Sequence, residues 1–173
     1  MKRATTATAT ATAVFITRND LPKASRVQVS ELLNRRLADA LDLQGQCKQA
    51  HWNVKGPQFI SLHKLFDDVH ADVTEYADLI AERIVQLGGV AMGTVRDVAE
   101  ASEMDQYPPS IASGEDHVKA LSAAVAAFGL RMRLAIGETD DLDDAATADI
   151  CTEITRGADK WLWFIEAHTQ SRA

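Results

Sequence analysis

Between the Gly56-Pro57 and Gly88-Gly89 dipeptides, residues 60–87 contain no glycine and no proline. Nothing in this stretch breaks a helix, and its length predicts one of about seven turns. The apolar residues Leu62, Leu65, Phe66, Val69, Val73, Tyr76, Ile80, Ile84 and Leu87 gather on one side of the helical wheel, near ~255° when His63 is set at 0°. A helix this long and this one-sided must bury its stripe against other helices, which points to an all-α bundle.

The opposite side carries His63, Asp67, Asp78 and Glu82, at ~0°, ~40°, ~60° and ~100° on the same wheel. These side chains therefore face away from the subunit's own core. His63 and Asp67 form an i,i+4 pair, as do Asp78 and Glu82, so each pair can reach one ion. The pairs are 11 residues apart, ~16 Å along the axis. Metal bonds to nitrogen and oxygen measure only ~2.0–2.2 Å, so no single ion bridges them. Either two weak half-sites exist, or a second copy of the helix completes each one. An antiparallel two-fold dimer sets His63 and Asp67 of one chain against Asp78 and Glu82 of its mate and makes two sites at once. Acids on an exposed helix face also simply meet solvent, with Lys64 or Arg83 as partners for Asp67 or Glu82. The joint recurrence of three acids and a histidine on one narrow stripe makes metal binding the reading to test.

The rest of the chain suits a single soluble domain with a sizeable core: 173 residues, 46% hydrophobic and 25% charged. The net charge of −7 disfavours nucleic acid on the bulk surface and attracts cations. Cys47 and Cys151 lack any metal-binding spacing and read as buried thiols in a reducing cytoplasm. No continuous run approaches the ~18 apolar residues of a membrane span, and the threonines after Met1-Lys2-Arg3 interrupt any export-signal core. Residues 1–25 read as a flexible basic tail with an Ala/Thr tract over 4–13, which Val14, Phe15 and Ile16 dock onto the body. Residues 26–173 read as the bundle. Helices are predicted over 27–53, 60–87, 115–136 and 145–167, with a short one near 94–102. Short loop, long crossover, short loop makes the second and third long helices parallel, the ferritin-like arrangement.

Several separated segments resemble the Dps family, the miniature ferritins of bacteria. They are Ala50-His51-Trp52-Asn53-Val54-Lys55-Gly56-Pro57-Gln58-Phe59, Leu62-His63, Phe66-Asp67, Asp78, Ala81-Glu82-Arg83, Leu87-Gly88-Gly89, Thr147-Ala148-Asp149-Ile150 and the run 160–166. The resemblance covers residues 14–168. It implies a ferritin-like four-helix bundle whose long crossover carries a short helix, assembled into a hollow homododecamer. It implies a ferroxidase that oxidises Fe(II), preferably with hydrogen peroxide, at two-fold shared sites and stores ferric mineral, protecting DNA. Position by position it adds His51 to His63, Asp67, Asp78 and Glu82, and names iron as the metal. The donor set agrees, because imidazole with carboxylates suits iron whereas thiolates favour zinc or iron–sulfur chemistry. Glu-x-x-His, the motif of a di-iron centre inside each bundle, is absent.

The same resemblance makes Trp52 an interceptor of oxidising equivalents, where spacing alone suggests a subunit contact. It places the acidic turn, with Asp143, Asp144 and especially Asp149, at three-fold pores that attract Fe(II). The plainer reading of that turn is solvated charge at a helix N-terminus. His70 lies between the ligand stripe and the core, either assisting a second metal or held by a structural hydrogen bond. His117 and His168 are expected at the surface, and Trp161, Trp163 and Phe164 as packing residues. Some family members bind DNA through cationic tails. Here Lys2, Arg3, Arg18, Lys23 and Arg26 give a net +4 through residue 26, leaving −11 for the remainder. The competing readings are a cytoplasmic, nucleoid-compacting protein with a minor or structural metal site, and a helical oligomer that binds no metal.

Overall fold

The runs free of glycine and proline become the long helices. In the computed structural model, which describes residues 15–170, α1 spans Lys23–Asn53 and α2 Phe59–Gln86. The short α3 spans Val95–Ala101, α4 Gly114–Asp140 and α5 Ala145–Glu166. Pro22, with φ −53°, leads directly into α1, so the helix begins at Lys23 rather than Val27. At the other end α4 runs past Gly137 to Asp140, where Thr139 Oγ1 donates to the Ala135 carbonyl at 2.8 Å.

Turn chemistry sets the topology. Gly56 (φ +112°) and Gly88 (φ +84°) adopt left-handed backbone that other residues enter at a cost. At Gly88 a β-carbon would also lie 2.7 Å from the Phe15 carbonyl oxygen. Lys55 N–H donates to Ala112 O at 2.9 Å, and Gly114 N–H donates to Lys55 O at 3.1 Å. The crossover thus returns the length of the bundle and starts α4 beside the start of α2. These two helices run parallel, as the connection lengths predict.

Packing of α1 on α2 and of α4 on α5 builds two hairpins, joined by α1 against α4 and α2 against α5. Phe66, Phe128, Leu33, Leu43, Ile80, Ile84, Leu121, Met132 and Ile154 fill the interior. Truncating one of these phenylalanines to alanine typically costs about 3–5 kcal/mol. By length and composition alone α4 is apolar enough to cross a membrane, although charged and polar residues interrupt its apolar runs. Its Val118, Leu121, Val125, Phe128 and Met132 are buried in the common core, the pattern of a central bundle helix.

Polar contacts fasten the crossover. Arg36 Nη2 lies 2.6 Å from Glu103 Oε2, Glu103 N–H donates to Asp39 Oδ1 at 2.8 Å, and Ser102 Oγ donates to Asp42 Oδ2 at 2.7 Å. Burial pushes the Asp39 carboxyl above its ordinary range, against the pull of Glu103 N–H and Arg36. His117 is buried rather than exposed, with Nδ1 2.7 Å from the Tyr107 hydroxyl. Burial lowers its pKa and favours the neutral ring. Cys47 and Cys151 are free, buried thiols whose pKa burial raises to about 12, which makes them unreactive.

The described part of the amino-terminal segment is attached by its backbone, Phe15 N–H donating to Gly88 O at 2.7 Å. Phe15 and Ile16 are exposed and do not dock it, whereas Leu21 farther along packs against the core. Val14, Lys2 and Arg3 lie outside the described residues.

Candidate metal centre

The short turn between α1 and α2 brings the last turn of one helix against the first turns of the next. His51 and His63 meet there, stacked with ring centroids 3.7 Å apart and planes at 21°. Each ring bonds to the other residue's backbone: His51 Nδ1 lies 2.7 Å from His63 O, and His63 Nδ1 lies 2.9 Å from His51 O. A carbonyl only accepts, so both Nδ1 atoms carry a proton, and in the neutral rings the Nε2 atoms keep the lone pairs. This is the carbonyl-oriented tautomer that metal-ligating histidines use. Phe59 flanks the pair, its ring centroid 5.1 Å from that of His63.

Asp67 joins them, with Oδ1 3.9 Å from His51 Nδ1. The same oxygen accepts from Lys48 Nζ at 2.5 Å. That hydrogen bond, more than the charges of His51 and His70, holds the Asp67 carboxyl below its ordinary range. His70 stands half-buried beside this group, and its ring has no hydrogen-bond partner among the described residues. Burial first and Lys48 second lower its pKa.

Asp78 and Glu82 are exposed farther along α2. Asp78 lines a groove with Leu37, Gln44 and Thr74, and Glu82 an adjoining one with Val85 and Ala91. Among the described residues no three His, Cys, Asp or Glu side chains converge on one point. The chain thus presents a histidine-rich half and a carboxylate half on one face. Trp52, 68% exposed, projects next to the first.

The acidic turn divides. Asp140, Asp141 and Asp149 are exposed, and so is Asp143, at φ +60°. Asp144 is buried, which corrects its assignment to a pore. Its Oδ1 meets Arg83 Nη2 at 2.7 Å and accepts from Thr147 N–H at 3.0 Å, capping α5, while Oδ2 accepts from Thr147 Oγ1 at 2.5 Å. Arg83 is therefore committed to Asp144 and not to Glu82.

Arg26, named with the DNA-binding residues, is partly buried and engaged within the chain. Its Nε donates to Leu21 O at 3.1 Å and its Nη1 to Leu87 O at 3.0 Å, locking the start of α1 onto the end of α2. Arg18 and Lys23 are exposed. Trp161 packs as expected and donates through Nε1 to Asp72 Oδ2 at 2.7 Å, whereas Trp163 and Phe164 are exposed on α5.

Lys48 is the residue that sequence reasoning missed. It lies three positions before His51, on the same face of α1, and a wheel drawn for α1 as for α2 would have found it.

The ferritin-like domain family matches residues 30–172 of this chain. A protein from Agrobacterium fabrum, named DNA protection during starvation protein, is 43% identical over 157 residues, 91% of this chain and 97% of its own length. The chain belongs to the Dps family. A solved Dps structure, DpsA14 from Streptomyces coelicolor, is similar with a TM-score of 0.88 at 32% identity, covering 92% of this chain and 95% of that one. A Haemophilus ducreyi protein named fine tangled pili major subunit is 33% identical over 140 residues, 81% of this chain and 74% of its own. Relatives of this chain at 33–43% identity thus carry more than one named role.

Proposed function

We propose that this Dps-family chain oxidises Fe(II), preferably with hydrogen peroxide, and stores the ferric product inside a hollow homododecamer, which protects DNA. The observation that carries the proposal is the His51–His63 pair, both Nδ1 atoms bound to carbonyls and both Nε2 atoms free. With Asp67 it forms one half of a site, and Asp78 and Glu82 of a two-fold-related copy supply the other half. Imidazole and carboxylate together suit Fe(II), and so few protein donors leave positions open for the oxidant. Two Fe(II) ions give two electrons to one peroxide, whose O–O bond breaks. With two waters the products are two FeOOH and four protons, so no hydroxyl radical is released. Exposed Trp52 stands where it would intercept a stray one-electron oxidant. Asp149 and Asp143 would draw Fe(II) inward.

The test is subunit complementation. His63→Ala and Glu82→Ala shells should each oxidise iron slowly. In a mixed two-fold pair one site collects both defects and the other none, so random mixing should restore about a quarter of the sites. Confirmed subunit exchange with no recovery of oxidation refutes the shared arrangement.

A further inference from the structure

The Nδ1 protons of His51 and His63 are held by main-chain carbonyls, so the aim of both rings depends on where two stretches of backbone lie. One of those carbonyls is free because of the crossover. In a continued helix the His51 carbonyl would accept from the N–H of residue 55. Lys55 N–H instead donates to Ala112 O at 2.9 Å, which ends α1 and leaves His51 O to the His63 ring. Gly114 N–H then donates to Lys55 O at 3.1 Å, and α4 begins at that residue.

Glycine is a poor helix former, and the φ of Gly114 is not positive, so backbone freedom does not account for it. Space does. A β-carbon there would lie 2.7 Å from Leu62 Cδ1. Leu62 is fully buried and directly precedes His63, so its side chain has little room to yield. One turn into α4, buried His117 places its ring centroid 6.5 Å from that of Phe66, the neighbour of Asp67.

We propose that Gly114 is a positioning residue for the histidine pair: it seats α4 on Leu62, and the segment it closes, through the Ala112 carbonyl and Lys55 N–H, leaves His51 O free to hold His63. The inference rests on the metal-site reading above. It gives the end of the crossover a part in metal affinity, although that segment supplies no ligand. A methyl group at position 114 pushes on Leu62 and so moves the first turn of α2 away from the end of α1.

Co(II) tests this without peroxide, because its visible absorption follows its coordination geometry. The signal of the site is the part of the spectrum that His63→Ala removes. The Gly114→Ala protein should bind Co(II) there at least about tenfold more weakly, the scale on which loss of an orienting partner acts. Its spectrum should change while its helical circular dichroism does not. Adding Leu62→Val removes the Cδ1 atom that the new methyl meets and should restore both affinity and spectrum. A merely structural role for Gly114 would lower stability and leave the spectrum of the folded protein alone. Parent-like Co(II) binding by folded Gly114→Ala overturns the inference, as does a folded double variant whose spectrum does not recover. If Gly114→Ala does not fold, the double variant decides: recovery of fold and spectrum supports the inference, and no recovery overturns it. Failure of the metal-site reading has a different signature: His63→Ala then removes nothing from the Co(II) spectrum of the parent, and both proposals fall together.

Discussion

Replacing Asp144 separates a structural carboxylate from a pore carboxylate. Asp144→Ala removes the acceptor that caps α5 through Thr147 N–H, a loss of about 1 kcal/mol for a typical N-cap. It also leaves the Arg83 guanidinium buried without its carboxylate, and stranding one member of a buried ion pair costs about 3–5 kcal/mol. The two losses share one side chain and are not independent, so the expected total is about 4–5 kcal/mol. Arg83→Met should cost less, because Asp144 keeps both of its Thr147 contacts. The double variant should be more stable than Asp144→Ala alone, since no charge is then stranded. Urea unfolding followed by helical circular dichroism gives these values, with subunit concentration held fixed because assembly contributes to stability. If Asp144→Ala loses less than about 1 kcal/mol and instead slows iron uptake, the structural role is wrong and the carboxylate serves the pore.

Asp149→Asn should behave in the opposite way, slowing iron uptake at low ionic strength with little change in unfolding. Unchanged uptake by an intact shell removes this residue from the entry path. His117 gives a pH dependence. Its folded pKa lies below the ordinary 6.5, so as pH falls through 6.5 the unfolded chain gains a proton that the folded chain refuses, and stability present above that pH is lost. His117→Gln should therefore flatten the fall in unfolding free energy between about pH 7.5 and 5.5, and an equal slope in both proteins refutes the assignment. DNA binding by the cationic amino-terminal segment should be weak per subunit, multivalent in the shell and steeply reduced by salt. Deleting residues 1–18 should abolish gel retardation of duplex DNA while iron oxidation persists, and equal retardation by both forms excludes the segment as the main contact.

The bundle was legible because glycine and proline punctuate it at Gly56-Pro57, Gly88-Gly89 and Pro108-Pro109. Between those marks helical periodicity leaves little choice. Periodicity also separated the stripe of His63, Asp67, Asp78 and Glu82 from the core, since a face is a local property of one helix. What stayed hidden depends on contacts between elements. Arg26 meets the carbonyl of Leu87, Arg83 meets Asp144, and His117 meets Tyr107. No spacing within a single helix announces such pairs. Within the acidic turn only one carboxylate faces inward, and the local mark of that choice was present: Asp144 immediately precedes α5, with Thr147 three residues on, the position of an N-cap and its N3 donor.

Lys48 was missed for a different reason. An ammonium has only donors and ligates no cation, so no metal-binding pattern includes lysine. Electroneutrality asks instead which charges must coexist once those ligands are brought together. In the proposed shared site three carboxylates would face one another and would call for three positive charges. A divalent ion supplies two, and the remaining one has to come from the chain, from solvent or from a second metal. Lys48 sits one turn from His51 and on the oxygen of Asp67. That contact places its charge beside the His51–His63 pair.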